Sequence, residues 1–162
     1  MAARILVVDD HDVVRQGVLL ILRNRPDWQV VGEASDGFEA LAQIQSLDPD
    51  LVILDISMPR KDGLEVLADL QKMNSREASV RSRILVLTMH DSKELATALQ
   101  KSGASGYVVK TQAARDLLQA AQDILDGNTF FPSGPAPSLH LGMDQAQKKK
   151  ARGMFRLPSP AR

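Results

Sequence analysis

The chain has no cysteine among its 162 residues. That excludes a disulfide framework, a thiolate metal site and a cysteine nucleophile, and it fits a reducing compartment. No apolar run approaches the roughly 20 residues that a membrane span requires. The start lacks the layout of a signal peptide: Arg4 precedes four apolar residues, and Asp9, Asp10 and Asp12 then intervene. The expectation is an unexported, cytoplasmic protein. Net charge is absent too, but only as an average. Residues 1–131 carry 14 Lys+Arg against 19 Asp+Glu, whereas residues 132–162 carry six bases and one acid. An acidic globule is joined to a basic tail. The length suits one domain with an appendage and suffices for a proper core.

What is present is alternation. Strand signals fall at about 4–9, 28–34, 51–55, 83–88 and 105–109, and helix signals at about 12–24, 36–46, 62–73, 91–102 and 112–126. Regular alternation predicts βαβ units and a parallel sheet. The first, third and fourth strands are continuous apolar runs, as expected when helices cover both faces. Acid pairs three residues apart mark three helix starts as variants of the capping box: Asp36 with Glu39, Asp62 with Glu65, and Asp91 with Glu94. Asp12 is expected to cap the first helix. Gly127 suits the left-handed position that ends the last one. Residues 74–82 show no apolar period and read as a polar loop.

Four strands close on polar residues: the Asp9-Asp10 pair after Ile5–Val8, Asp55 after Leu51–Leu54, Thr88 after Ile84–Leu87, and Lys110 after Gly106–Val109. In an open α/β sheet the carboxyl ends of the strands share one crevice, where ligands bind. The pattern thus gathers three carboxylates, a hydroxyl and an ammonium at one place. Mg²⁺ takes oxygen ligands and is usually held by one or two carboxylates plus a phosphate. Asp10 and Asp55 each offer an oxygen, and Asp9 offers one directly or through water. Phosphoryl transfer asks the protein mainly to position groups and stabilise charge, and a carboxylate can act as the nucleophile. Thr88 can donate to one phosphoryl oxygen and Lys110 can pair with another. Each piece alone has an ordinary explanation: a helix cap, a loop acid, a satisfied hydroxyl, a solvated lysine. Their occurrence together, at the same end of successive strands, is what points to a site with Asp55 as acceptor. His11 and His90 lie near the crevice. Neither has ligand spacing with another histidine, so no metal role is assigned to them.

Val7-Val8-Asp9-Asp10, Leu54-Asp55-Ile56-Ser57-Met58-Pro59, Asp62-Gly63, Leu87-Thr88 and Gly106-Tyr107-Val108-Val109-Lys110 resemble a bacterial two-component response regulator receiver domain. The match covers residues 4 to about 127. The run from Asp9 to Gly17 resembles the NarL/FixJ branch in particular. The resemblance implies a flavodoxin-like (CheY-like), doubly wound, five-stranded parallel sheet in order 2-1-3-4-5 with five helices. It implies that Asp55 takes a phosphoryl group from a histidine kinase in a two-component phosphorelay. It implies Mg²⁺ (or Mn²⁺) on Asp9, Asp10, Asp55 and the Ser57 backbone carbonyl. Thr88, Lys110 and Tyr107 match its switch residues. Phosphorylation would draw Thr88 toward the phosphate and turn Tyr107 inward, altering the face of the fourth helix, fifth strand and fifth helix, through which a homodimer is expected. Such a module is not an enzyme toward external substrates.

There are two departures. Many receivers place Pro after the switch lysine; here Thr111 follows. The NarL/FixJ branch normally carries a C-terminal helix-turn-helix, yet nothing after Phe131 reads as two periodic helices joined by a turn. DNA binding is therefore not carried over. The expected organisation is a receiver at 1–131 and a Pro-rich basic tail at 132–162. Five of the chain's eight prolines fall in that tail, against a packed fold there. The tail has three readings: a linker whose output domain is lost, a basic arm for nucleic acid or an acidic partner, or a segment docking on its own acidic receiver. Two functional alternatives stand beside the signalling module. One is a DNA-binding transcription regulator altered after its receiver. The other is an aspartyl-phosphate phosphatase of the haloacid-dehalogenase type, which usually has a second Asp two residues after its nucleophile; Ser57 occupies that position here.

Overall fold

Alternating residues of each central strand point to opposite faces of the sheet, and both faces are apolar. In the computed structural model, which describes residues 2–74 and 80–132, this produces two cores. Strands β1 (Ala3–Val8), β2 (Trp28–Ala34), β3 (Leu51–Asp55), β4 (Arg83–Thr88) and β5 (Gly106–Val109) form one parallel sheet in the order β2-β1-β3-β4-β5. Leu6, Val8, Val52, Leu54, Ile84, Val86 and Tyr107 face α2 (Gly37–Leu47), α3 (Gly63–Asn74) and α4 (Lys93–Lys101). Ile5, Val7, Leu51, Ile53, Leu85, Leu87 and Val108 face α1 (Asp12–Leu22) and α5 (Ala113–Leu125). Burial on both sides explains the unbroken apolar runs. It also fixes register, because a one-residue slip would exchange the two faces. Among the described residues no helix is long and apolar enough to cross a membrane.

Every predicted element is present: β2, β3 and β4 have the expected ends, and the ends of the others differ by at most two residues. The caps differ more. Asp62 accepts from the Glu65 amide while Glu65 accepts from the Asp62 amide, a complete capping box. Asp36 caps α2 through the Glu39 amide, and Glu39 reaches back to the Ser35 amide. The expected cap at Asp91 is corrected: Ser92 caps α4 by accepting from the Leu95 amide, and Asp91 instead accepts the Tyr107 hydroxyl. Asp12 is likewise not the cap of α1. His11 holds that position without a side-chain cap bond, and Asp12, in the first turn, pairs with Arg15. In both cases an acid that could cap has a better partner. Gly127 has φ +98° and ends α5 as expected. Thr111 lies in a single 3₁₀ turn, Lys110–Gln112, leading from β5 into α5. Residues 75–79 of the polar loop and 133–162 of the tail lie outside the described residues.

One pairing has no counterpart in the sequence reading. After α5 the chain returns to the outer edge of β5: the Tyr107 amide donates to the Phe130 carbonyl and the Phe130 amide to the Ser105 carbonyl. Only glycine fits at 106, because a Cβ there would lie 2.4 Å from the Phe130 carbonyl oxygen. Phe131 then enters the core at 4% exposure, edge-on to the Tyr107 ring with centroids 6.1 Å apart.

Candidate functional site

The register decides which strand ends meet. Val8 pairs with Leu54, so Asp9 and Asp55 emerge side by side. They sit where the strand order reverses, the usual ligand crevice of such sheets. Asp55 pairs with Leu87 and Thr88 with Val109, which brings Thr88 and then Lys110 to the same rim. Asp9, Asp55 and Thr88 are all fully buried. The start of α3 packs against the end of β3. A Cβ at Gly63 would lie 2.7 Å from the Asp55 carbonyl oxygen, so glycine is required for that approach.

Polar groups hold Asp55 on one side only. Its Oδ1 accepts from the Ser57 amide at 3.1 Å and lies 3.0 Å from Lys110 Nζ. Its Oδ2 is buried with no hydrogen-bond partner. Lys110 Nζ also lies 3.2 Å from Asp9 Oδ2, and His11 Nδ1 lies 3.1 Å from Asp10 Oδ1. Those two carboxylate oxygens have close nitrogen neighbours but no partner in hydrogen-bond geometry. Asp9 Oδ1 accepts from the His11 amide at 2.8 Å. Thr88 Oγ1 accepts from the His90 amide at 3.1 Å.

Burial pushes the Asp55 carboxyl up to about 6, and the Asp9 charge adds to the rise; Lys110 and the Ser57 amide pull against it. Burial alone would depress the Lys110 ammonium, but Asp55 and Asp9 outweigh it and hold its pKa above the usual lysine value. The site therefore carries more negative charge than one lysine offsets.

Buried polar groups without partners are costly and call for an explanation. Here the three orphaned atoms are all carboxylate oxygens at one point. An oxygen donor set of this kind fits a hard divalent cation such as Mg²⁺. Asp9, Asp10, Asp55 and also His11 can each place one ligand atom within 4.8 Å of the others. The structure thus brings together every residue singled out at the strand ends. Tyr107 stands apart, inside the core under β5 with its hydroxyl on Asp91 at 2.8 Å. His11 has no second histidine at ligand spacing, and its neighbours here are carboxylates. Its position immediately after two acids was the available signal.

Comparison with known proteins agrees with the geometry. Residues 5–122 match the response regulator receiver domain family. The chain is 39% identical over 137 residues to the nitrate/nitrite response regulator protein NarL of Escherichia coli (strain K12), covering 85% of this chain and 61% of that protein. It is 35% identical over 147 residues to the DNA-binding transcriptional activator DevR/DosR of Mycobacterium tuberculosis, covering 91% and 65%. The crystal structure of a LuxR-family two-component response regulator from Aurantimonas sp. SI85-9A1 superposes with a TM-score of 0.72 at 32% identity, covering 95% of this chain and 99% of that one. The chain spans about three-fifths of the length of the NarL protein that it matches. On its fold, its rim of acids and these matches, the chain belongs to the response regulator receiver domain family, among relatives of the NarL kind.

Proposed function

We propose that Asp55 is the phosphoacceptor of a two-component phosphorelay. The observation that carries this is the asymmetry of its carboxylate: Oδ1 is held by Lys110 and the Ser57 amide, and Oδ2 is buried and unpartnered. An anchored carboxylate with one free oxygen is oriented as a nucleophile. In the proposed reaction the P–N bond of a kinase phosphohistidine breaks and an O–P bond forms on Asp55, giving an acyl phosphate. Asp9, Asp10, Asp55 and the Ser57 carbonyl would hold Mg²⁺, or Mn²⁺. When bound, the ion neutralises charge on the carboxylates and on the transferring group. Lys110, now 3.0 Å from Asp55, and Thr88, on the adjoining strand, are the donors for the phosphoryl oxygens.

The partner on this reading is a histidine kinase, and the output is a protein-interaction surface on α4, β5 and α5, suited to a homodimer. Tyr107 and Thr88 are its switch residues. Residues 1–131 form the receiver, residues 132–162 the tail, and the protein works in the cytoplasm. Its chemistry is confined to gaining and losing its own phosphoryl group.

The test is intact mass after acetyl phosphate and Mg²⁺. One added phosphoryl group is expected, absent in Asp55→Ala and without metal. Thr88→Ala and Lys110→Ala should retain some phosphorylation and lose the conformational response. An adduct of similar yield on another aspartate in Asp55→Ala would overturn the assignment. A second reading is favoured by the DNA-binding relative: the chain contacts DNA. It predicts salt-sensitive duplex binding that disappears when residues 132–162 are removed.

A further inference from the structure

His11 occupies the N-cap of α1, where Ser, Thr, Asp or Asn would be usual, yet its side chain makes no cap bond. Its ring turns to the acids instead. Nδ1 lies 3.1 Å from Asp10 Oδ1 and 3.4 Å from Asp9 Oδ1. Around an ion with bonds of about 2.1 Å, ligand atoms sit about 3.0 Å apart along an octahedral edge and about 3.4 Å along a tetrahedral one. His11 Nδ1 therefore already stands from each of the two carboxylate oxygens at the spacing of two ligands on one ion. Asp55 belongs to the same cluster, and its Oδ2 is buried and unpartnered. Lys110 engages different oxygens from those nearest His11: Asp55 Oδ1 and Asp9 Oδ2.

We infer that His11 is a nitrogen ligand of this centre, and that with Asp9, Asp10 and Asp55 it binds a borderline divalent transition ion of the Ni²⁺ or Zn²⁺ class. Imidazole suits such ions, whereas Mg²⁺ is satisfied by oxygen and water. The His11 ring is 63% exposed, so it can turn onto a transition ion or leave the all-oxygen site to Mg²⁺. One crevice thereby takes two classes of ion, and the one with nitrogen affinity occupies it in competition with Mg²⁺. The inference rests on the same acidic site as the proposed phosphoacceptor but not on phosphorylation itself.

The experiment is calorimetric titration of the untagged full chain with Ni²⁺ and, separately, Mg²⁺, in a His140→Ala background to remove the tail histidine. His11→Ala is expected to lower Ni²⁺ affinity about tenfold or more while changing Mg²⁺ affinity less than about twofold. His11→Asn, with a good capping residue in place of the ring, should behave the same way and guards against a folding defect. Asp55→Asn should weaken both ions, and His90→Ala neither. Ni²⁺ affinity within twofold of the parent in His11→Ala overturns the inference. So does an equal loss for Mg²⁺, or Ni²⁺ binding that survives Asp55→Asn unchanged, since the ion would then lie outside the acidic centre. If Ni²⁺ behaves as expected but no phosphoryl group is ever gained, the inference stands and the phosphoacceptor reading fails.

Discussion

Val8 and Asp9 are neighbours on one strand end, and Leu54 and Asp55 on the next. All four are completely buried. For Val8 and Leu54 burial is the source of stability, since each removes an apolar side chain from water and packs it against α2, α3 and α4. For Asp9 and Asp55 the same burial is a cost, because ionised carboxylates lose their hydration and face one another. One residue step along a strand converts a scaffold into a site. The sheet tolerates this because the acids are gathered where the apolar ladder ends, next to Lys110, which pairs with both of them.

The contrast can be broken on its apolar side first. Leu54→Ala should cost about 3 kcal/mol, the usual range for a fully buried leucine, read as a lower urea midpoint with unchanged slope. Filling the site acts in the opposite sense. At free Mg²⁺ about one hundred times its dissociation constant, the fold should gain about 2.7 kcal/mol. A thermal-shift titration at pH 7.5 would show the gain in the parent and its loss in Asp55→Asn. Because the ion displaces a proton from Asp55, Mg²⁺ affinity should weaken roughly tenfold per pH unit below about 6.

Removing the charge sharpens the comparison further. The Asp55 carboxyl titrates near 6 in the fold against an ordinary 3.8. A raised carboxylate pKa imposes no penalty below the unfolded value, and the penalty grows as pH rises through the folded one. Metal-free Asp55→Asn should therefore match the parent near pH 3.5 and exceed it above pH 7. The margin should be about 2 kcal/mol, within the roughly 3 kcal/mol that the shift represents, a shift that already includes the opposing Lys110 pairing. Urea melts across that pH range would refute this if the difference were flat. The smallest effect belongs to Tyr107→Phe. It deletes the hydroxyl bond to Asp91 without changing ring packing, and should cost about 1 kcal/mol.

Much of this was legible because strand ends are marked twice, once by the apolar run and once by the polar residue that stops it. Asp9, Asp55, Thr88 and Lys110 could be assembled from that signal and from strand order alone. Caps were legible where the acid keeps the amide three residues on, at Asp36 and Asp62. They were misread at Asp12, which pairs with Arg15, and at Asp91, which receives Tyr107 from another strand. Those choices depend on residues brought close only by folding. The same holds for Gly63, whose need is set by the Asp55 carbonyl.

The return of Phe130 to the outer side of β5 has a further consequence. That strand would otherwise present an open row of amides and carbonyls to any other chain. Part of the row is already taken, so another strand cannot pair with β5 where Phe130 does. The same two hydrogen bonds set the starting point of everything that follows Pro132. That point is pinned to the backbone of Tyr107, with Phe131 against its ring. Any attached segment is thus tethered at the strand that carries the aromatic ring.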